Sequence, residues 1–422
     1  MDDRDGGDPP QPPASITYES LNHSFGESTF PGSLYLFTGE ENEFRGQLRE
    51  FVRREVLPLV PEIERGANSD LCVEAYRRLG RGGYLTFSFP ESVGGQGKGY
   101  AYRIIFGEEL AAVSSAVVVT CGASANLFAA PIIHFGTEEQ KRKFLGGIVT
   151  GEKLGAIAIT EPGAGSDAVG GMRTTAVRKG DRYVISGEKR FITNGSIADY
   201  LLLYAVTDPD APRHRGISAF LFPTDTPGFE RVKDYELSGR RGSVNSHLRF
   251  NGCEVPTDLL LGGPQMENRG YEIMMHGLDG ERCFTCSQYL GVARSAFEIA
   301  ARYANRRVQF RRPIRQFEGI SFKIAEMYAK IEAGRLMTLR AARMLDDGLN
   351  ATKEVAAAKF TCANYQVEVV LDAMQVVGGI GYTKEFPLEQ YLRDSKISQI
   401  SAGTVEILKF LCQREVFRAL GL

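Results

Sequence analysis

Apolar positions along the chain change period twice. Between about residues 39 and 152 they recur at helical spacing. The stretch from Glu43 to Leu57 sets apolar residues among charged ones, and "YRIIFGEELAAVSSAVVVTCGASANLFAAPIIHFG" is a long Ala-rich run that suits buried helices better than half-exposed strands. "GTEEQKRKFL" opens with Thr137 as a cap and acidic residues in the first turn, a helix start. From about 153 to 265 the runs become short and β-rich: "KLGAIAIT", "YVISG", "YLLLYAVT", "ISAFLFPT" and "HLRFNGCEVP", separated by Gly, Pro, Asp and Asn. "VRKGDRYVIS" predicts a hairpin turned at Lys179-Gly180-Asp181. From about 266 the helical period returns. Leu290, Ala293, Phe297, Ala300 and Ala304 share one face, as do Ile320, Ile324, Met327, Ile331 and Gly334. Gly348 and Asn350 punctuate before a third helix over about 351–377, and long helices with short links imply a bundle.

A chain of 422 residues is too long for one simple core. The pattern divides it into an extension (1–38), a helical domain (39–152), a β-domain (153–265) and a helical bundle (266–422). The first 14 residues carry Asp2, Asp3, Asp5, Asp8 and four prolines, which predicts a disordered tail. It lacks the apolar stretch of a secretory signal and is too acidic for a mitochondrial presequence, so a cytoplasmic location is expected. A net charge of −2 leaves no nucleic-acid footprint. No uninterrupted apolar run suggests a membrane span. Seven scattered cysteines argue for a reducing compartment rather than a disulfide framework. Cys283 and Cys286 form a C-x-x-C pair with no second Cys/His pair nearby, so they read as two small core residues on one helix, and no metal site is expected.

Two segments carry candidate chemistry. "AITEPGAGSDAVGG" follows a strand; Gly163 and Gly165 allow close backbone approach to a ligand, and Thr160 and Ser166 offer hydroxyls. Alone it reads equally well as a structural turn. "GEKRFITNGSIADY" then places Phe191 and Thr193 before an Asn194-Gly195 turn, an aromatic and a hydroxyl suited to stacking on and bonding a flat heterocycle.

"TEPGAGSD", "KRFITNG", "RRVQF", "QVVGGIGY", "EFPLEQYLRDSKI" and "AGTVEILKF" occur in that order over roughly residues 39–420. Together they resemble the acyl-CoA dehydrogenase family. The resemblance implies a mostly α fold with a middle β-domain: an N-terminal helical domain, a β-barrel-like middle domain and a C-terminal four-helix bundle. It also implies FAD as cofactor. By motif, Ile159, Thr160 and Ser166 contact flavin or substrate, and Phe191, Ile192 and Thr193 cover the isoalloxazine ring. The family often has Trp where Phe191 stands, so the π-face stays and an N–H is lost. Arg307, Gln309 and Phe310 fall in a motif whose arginine meets the FAD pyrophosphate, although Arg311 replaces the usual Gly after it. Gln375, Gly378 and Gly379 belong to a motif that reaches the flavin of a neighbouring subunit. Thr404 and Glu406 lie near FAD.

The implied reaction removes a proton α to a thioester carbonyl and transfers the β-hydride to flavin, which needs a desolvated carboxylate and a polarised carbonyl. Most of the family places that carboxylate just before the C-terminal Gly-Thr; here the position is Ala402. Members resembling isovaleryl-CoA and long-chain dehydrogenases carry it on the first long helix of the C-terminal domain, where "HGLDGERC" puts Glu281. Asp279, two residues away, lies on another face. Arg282 is expected beside the CoA moiety or active-site wall, and the Ala402 N–H is expected to bond the thioester oxygen. Ser401 replaces a bulky residue, which favours branched, cyclic or aryl acyl groups unless Phe284 refills the space; Ser166, Arg282 and Ser401 are the expected substrate contacts. The resemblance further implies an electron-transfer flavoprotein as acceptor, a homotetramer, and a place in fatty acid or amino acid catabolism. Alternatives are an acyl dehydrogenase for carrier-protein thioesters of secondary metabolism, an oxidase or monooxygenase on the same fold, and a non-catalytic FAD-binding scaffold.

Overall fold

The computed structural model describes residue 17 and residues 35–422, so most of the acidic extension expected to be disordered lies outside the described residues. The first helix, α1 (Gly39–Glu55), starts where a capping box satisfies two backbone donors: Thr38 Oγ1 accepts from Glu41 N at 3.2 Å, and Thr38 N donates to Glu41 Oε2 at 2.9 Å. Phe44, Leu48 and Val52, at i, i+4 and i+8, bury one stripe. There follow α2 (Val60–Gly66), α3 (Ser69–Arg81, capped by Asn68) and α4 (Tyr100–Ala111). Next, α5 (Ser115–Gly122) runs through a π-helical stretch, Ala123–Ala129, into α6 (Ala130–Phe135). The run Ser115–Phe135 is long and apolar enough to cross a membrane by length and composition, contrary to the sequence expectation, because Ser, Thr and Asn interrupt its apolar residues; 72% of its apolar window is buried inside the fold. Helix α7 (Glu138–Thr150) begins at Thr137, whose Oγ1 accepts from Gln140 N at 3.2 Å.

The sheet comprises β1 (Gly155–Ala158), β2 (Thr175–Lys179), β3 (Arg182–Thr193), β4 (Tyr200–Val206), β5 (Ile217–Pro223), β6 (Phe229–Asp234) and β7 (Asn245–Pro256). Its order is β1-β4-β2-β3-β7-β6, with β5 also paired to β4. β2 and β3 form the expected hairpin, with Lys179 opposite Arg182 and Gly180 at φ 62°. β4 and β5 are buried on both faces, so their sequences are nearly continuous apolar runs rather than alternating ones. Strand β6 is half exposed and charged, and sequence periodicity did not mark it.

The bundle contains α8 (Gly270–Arg306), a two-residue hairpin of β8 (Val308–Gln309) and β9 (Arg312–Pro313), α9 (Glu318–Asp346), α10 (Thr352–Val377), α11 (Leu388–Lys396) and α12 (Val405–Ala419). One core joins the helical segments from both ends of the chain, bringing Leu48, Tyr76 and Ile104 together with Val292, Phe297 and Val369. A second core lies between the sheet and α5–α7, around Phe128, Phe144, Leu202 and Phe220. Cys283 and Cys286 are buried free thiols on α8.

A charge network crosses the first core. Glu109 on α4 accepts two hydrogen bonds from Arg294 of α8, both 2.9 Å, and two from Arg49 of α1 at 3.0 and 2.9 Å. Neighbouring Glu108 accepts from Arg335 of α9 at 2.7 Å and from Arg294 at 3.2 Å. Burial works to raise the pKa of Glu108, but Arg335, Arg294 and Arg45 overcome it and bring the group down to about 2. Four helices are thus pinned by groups that would each be costly to bury alone.

Candidate active site

Glu281 sits on α8 where three elements converge. Gly280 beside it allows a close approach to α4: a Cβ there would lie 2.7 Å from the Tyr100 ring. The π-helical stretch makes the second approach. A Cβ on Gly122 would meet the Phe284 ring at 2.8 Å, and Phe284 stacks on Phe106 of α4 at 6.3 Å. π-Helical turns cost backbone stability and tend to mark functional sites; this one carries Asn126, whose side-chain amide lies close enough to the Glu281 carboxylate to favour its anion.

Burial pushes the Glu281 carboxyl up to about 8, against a Thr285 hydrogen bond, the Arg103 charge and the Asn126 hydrogen bond, which all favour the anion. Thr285 Oγ1 donates to Oε1 at 3.3 Å. Oε2 is buried and takes no hydrogen bond from the described residues, so one lone-pair edge of a desolvated carboxylate stays free. Asp279, the nearest competitor by sequence, faces elsewhere. It accepts from Thr352 Oγ1 at 2.5 Å and from Arg282 at 3.4 Å.

The 398–403 turn closes against the same helix. Arg282 Nε donates to the Ala402 carbonyl at 3.5 Å. Ala402 (φ 54°) and Gly403 (φ 90°) are both left-handed, a conformation that costs a non-glycine residue roughly 1–2 kcal/mol. Lys359 of α10 holds that strain in place. Its Nζ, fully buried, donates to the carbonyls of Ser398, Ser401 and Gly403 at 3.0, 2.8 and 2.7 Å. Tyr289 donates to Ser398 O at 3.1 Å. Thr404 caps α12, accepting from Ile407 N at 3.3 Å, with Glu406 exposed in the first turn.

The β-domain residues form a second group. The β3–β7 register slips between Lys189 and Ile192, and Phe191 falls in that bulge at φ 56° with 60% of its surface exposed. A bulge re-aims a side chain; here it turns an aromatic outward, 4.8 Å from the Tyr235 ring. Ile192 is buried beneath, and Thr193 donates to Asn245 at 3.3 Å. The backing is a buried ion pair. Lys189 donates to Glu161 at 2.8 Å and to the Ile159 carbonyl at 3.0 Å, while Glu161 accepts from the amides of Arg173 and Thr174 at 2.7 and 3.0 Å. Arg190 N donates to Thr160 O at 2.8 Å. Asn194 reaches into the helical layer, donating to Thr120 O at 3.0 Å. Ser166 and Gly163 and Gly165 are exposed, with open space where a Cβ would stand on either glycine.

A third group lies elsewhere. Arg307 follows the far end of α8, roughly 39 Å along the helix from Glu281 at 1.5 Å per residue. Gln309 is on β8, and Phe310 and Arg311 form its turn at φ 50° and 64°, so the hairpin adopts the geometry glycine favours without glycine. Gln375, Gly378 and Gly379 are exposed at the C-terminal end of α10. One chain therefore gathers Glu281, Arg282, Ser401 and Ala402, presents Phe191 separately, and leaves the Arg307 and Gln375 groups apart from Glu281. Sequence reading missed Arg103, Asn126 and Lys359. Lys359 had a signal, a lone cation in "EVAAAKFTC"; Asn126 had a weaker one, an amide within an Ala-rich run.

A carboxylate raised by desolvation and an outward aromatic on the sheet are the two features of the chain that chemistry can use. Comparison with known proteins names the class. The N-terminal, middle and C-terminal domains of acyl-CoA dehydrogenases match residues 38–152, 156–253 and 268–417. An acyl-CoA dehydrogenase of Bacillus subtilis is 40% identical over 89% of this chain and 98% of its own length. The mitochondrial isovaleryl-CoA dehydrogenase of Solanum tuberosum is 34% identical over 96% and 97%. The structure of butyryl-CoA dehydrogenase from Megasphaera elsdenii superposes with a TM-score of 0.86 at 36% identity, over 90% of this chain and 99% of that one. The chain belongs to the acyl-CoA dehydrogenase family, FAD-dependent oxidoreductases acting on acyl-CoA. The residues present on the sheet fit a flavin: Phe191 turns an exposed ring face outward, and the Thr160 segment behind it is held by the Arg190 N to Thr160 O bond.

Proposed function

We propose that the protein oxidises an acyl-CoA thioester to the 2-enoyl thioester, with Glu281 as the base. The observation that carries this is the buried, half-unpartnered Glu281 carboxylate next to a turn whose usual carboxylate position is Ala402. This is the placement of isovaleryl-type members. Glu281 Oε2 takes the α-proton; Thr285 donates to Oε1, so that the free, basic edge keeps one direction. The Ala402 N–H donates to the thioester oxygen, stabilising the charge that develops there. Arg282 holds the Ala402 carbonyl and lines the site with Ser401. Phe191, Ile192 and Thr193 cover the ring of FAD, with Ile159, Thr160 and Ser166 along its edge. Bound FAD supplies the acceptor for the β-hydride.

Arg307, Gln309 and Phe310 would hold the pyrophosphate end, and Gln375, Gly378 and Gly379 an adjoining flavin. Their distance from Glu281 within one chain supports a site completed by a second copy, within a homotetramer. An electron-transfer flavoprotein is the proposed acceptor; one matched solved chain comes from a study of such a flavoprotein of Acidaminococcus fermentans. Ser401 and Ala402 leave room near the α- and β-carbons for branched, cyclic or aryl groups.

The test is anaerobic titration of the FAD-loaded protein with a panel of acyl-CoA thioesters, following flavin absorbance. Bleaching by at least one thioester is expected. Fast peroxide formation in air would instead indicate an oxidase, and bleaching only by carrier-protein thioesters would shift the substrate class.

Lys359→Met gives a separate check on the turn. The Ser401 and Gly403 carbonyls lose this donor while Ser398 O keeps Tyr289, and each stranded buried acceptor costs about 1–3 kcal/mol. The expected result is a lowered Tm, together with slower bleaching at unchanged flavin content. Normal bleaching rates would detach Lys359 from the oxyanion turn.

A further inference from the structure

The tip of the β8–β9 hairpin is strained, and nothing inside the chain holds it there. Val308 pairs with Pro313 and Gln309 with Arg312, and Ile314 N donates to Arg307 O at 2.8 Å, so the loop consists of Phe310 and Arg311 alone. Both have positive φ, 50° and 64°. A two-residue loop of that form is ordinarily made by Asn and Gly, because a Cβ disfavours the left-handed region. Among the described residues no other two successive non-glycine positions share it. Single left-handed residues elsewhere are tied into the fold. Asn194 donates to Thr120 O at 3.0 Å, and Lys359 pins the turn around Ala402. At the hairpin tip, Phe310 leaves 87% of its surface exposed. Arg311 is exposed, and its guanidinium makes no hydrogen bond, ion pair or ring contact with the described residues. Arg312 differs, lying over the Phe317 ring at 4.1 Å. Glycine at 311 would turn the chain without strain, so the cost of an arginine there is offset by nothing within one copy. Strain of this kind belongs with ligand clamps, where a contact from outside uses the side chain it presents.

We propose that Arg311 is a cofactor-holding residue that, with Arg307, clamps the pyrophosphate of FAD seated in a second copy of the chain. This rests on the reading of the hairpin as the pyrophosphate end of the FAD site. Arg307 stands at the base of the hairpin and Arg311 at its tip, so cations flank β8 at both ends. Each phosphate of a pyrophosphate carries a charge, and Arg307 alone meets one of them. A guanidinium stays protonated and presents paired donors that match phosphate oxygens. Carried on a two-residue loop closed by a paired strand, its backbone has little freedom left to lose on binding.

The experiment uses the FAD-loaded full-length protein and follows FAD release by the rise in flavin fluorescence across a KCl series. It compares wild type with Arg311→Gln, Arg311→Lys, Arg311→Gly and Arg307→Gln. At low salt Arg311→Gln is expected to release FAD about 10-fold faster than wild type, and Arg311→Lys about threefold faster. The gap between wild type and Arg311→Gln should close as salt rises, since screening weakens a charge contact and spares a packing one. The phosphorus NMR resonances of bound FAD should move in Arg311→Gln. Arg311→Gly should release FAD as fast as Arg311→Gln yet show a higher Tm, because glycine relieves the turn while both lack the charge. Unchanged release in Arg311→Gln with faster release in Arg307→Gln would overturn the role of Arg311 and leave the hairpin as the pyrophosphate site. Unchanged release in both would overturn the hairpin reading, and the clamp with it. Faster release in Arg311→Gln that persists at high salt with unmoved phosphorus resonances would overturn the clamp in favour of a protein contact.

Discussion

Glu281→Gln is expected to keep its FAD and slow thioester-driven bleaching by roughly 10²–10⁴-fold, the range for removing a positioned general base. Normal reduction by the variant would remove Glu281 from the mechanism. The pH dependence supplies an independent signature. Burial raises the Glu281 carboxyl from 4.5 to about 8, and only the anion can take a proton. In the free enzyme kcat/KM should therefore climb about tenfold per pH unit below 8 and level off above it. The climb should be absent from the residual rate of the glutamine variant. Stability runs the other way. A carboxyl whose folded pKa lies above its unfolded one favours folding fully only below about 4.5, and that contribution is lost as pH rises through 8. Glu281→Gln should accordingly melt higher than wild type at pH 8 and above, with the gap closing in acid. A base bought by desolvation is a liability to the fold that carries it.

Arg294→Met should be the most damaging substitution away from the site, destabilising the protein by about 3–5 kcal/mol as measured by urea denaturation. Met fills the volume but removes three hydrogen bonds from the buried Glu108–Glu109 pair, leaving Arg335 and Arg49 alone to offset both charges between α4 and α8. Adding Glu109→Gln to Arg294→Met should recover part of the loss, because one of the two charges is gone. Additive effects in the double variant would show that the network is not coupled. Both carboxyls are held below their usual range despite burial, since the arginines outweigh desolvation. The Glu108 contribution is present above the unfolded value of 4.5 and falls away as pH drops through about 2, and that of Glu109 is lost in the same acidic direction.

Sequence alone made the architecture readable because the two apolar periods are clean. Residues 290–304 keep a helical stripe over several turns, and the β4 and β5 runs leave no helical alternative. Glu281 became a candidate through the vacancy at Ala402 rather than through any local signal, since a Glu-Arg pair on a helix is ordinarily solvated. What stayed hidden depends on elements far apart in the chain. Nothing in residues 123–129 announces a π-helical turn, so the approach of Asn126 to Glu281 was invisible. Arg103 reads as one charged residue in an apolar helix; that its charge is felt by Glu281 follows from packing against α8, 178 positions later. Phe191 was legible as an aromatic, but its exposure depends on a register slip that no pattern of period two encodes.

The left-handed turn at Ala402–Gly403 has a bearing on ancestry. A catalytic group that changes address between lineages must pass through a stage with either no carboxylate or two. The turn and α8 touch through Arg282, so glutamates at 281 and 402 would share one dry space. Two like charges there cannot both ionise near neutrality: one stays protonated and the other remains available. A lineage could then carry both, lose either, and keep turning over substrate throughout. The small side chain now at 402 is what such a history would leave behind, and the double substitution Glu281→Gln with Ala402→Glu runs it in reverse.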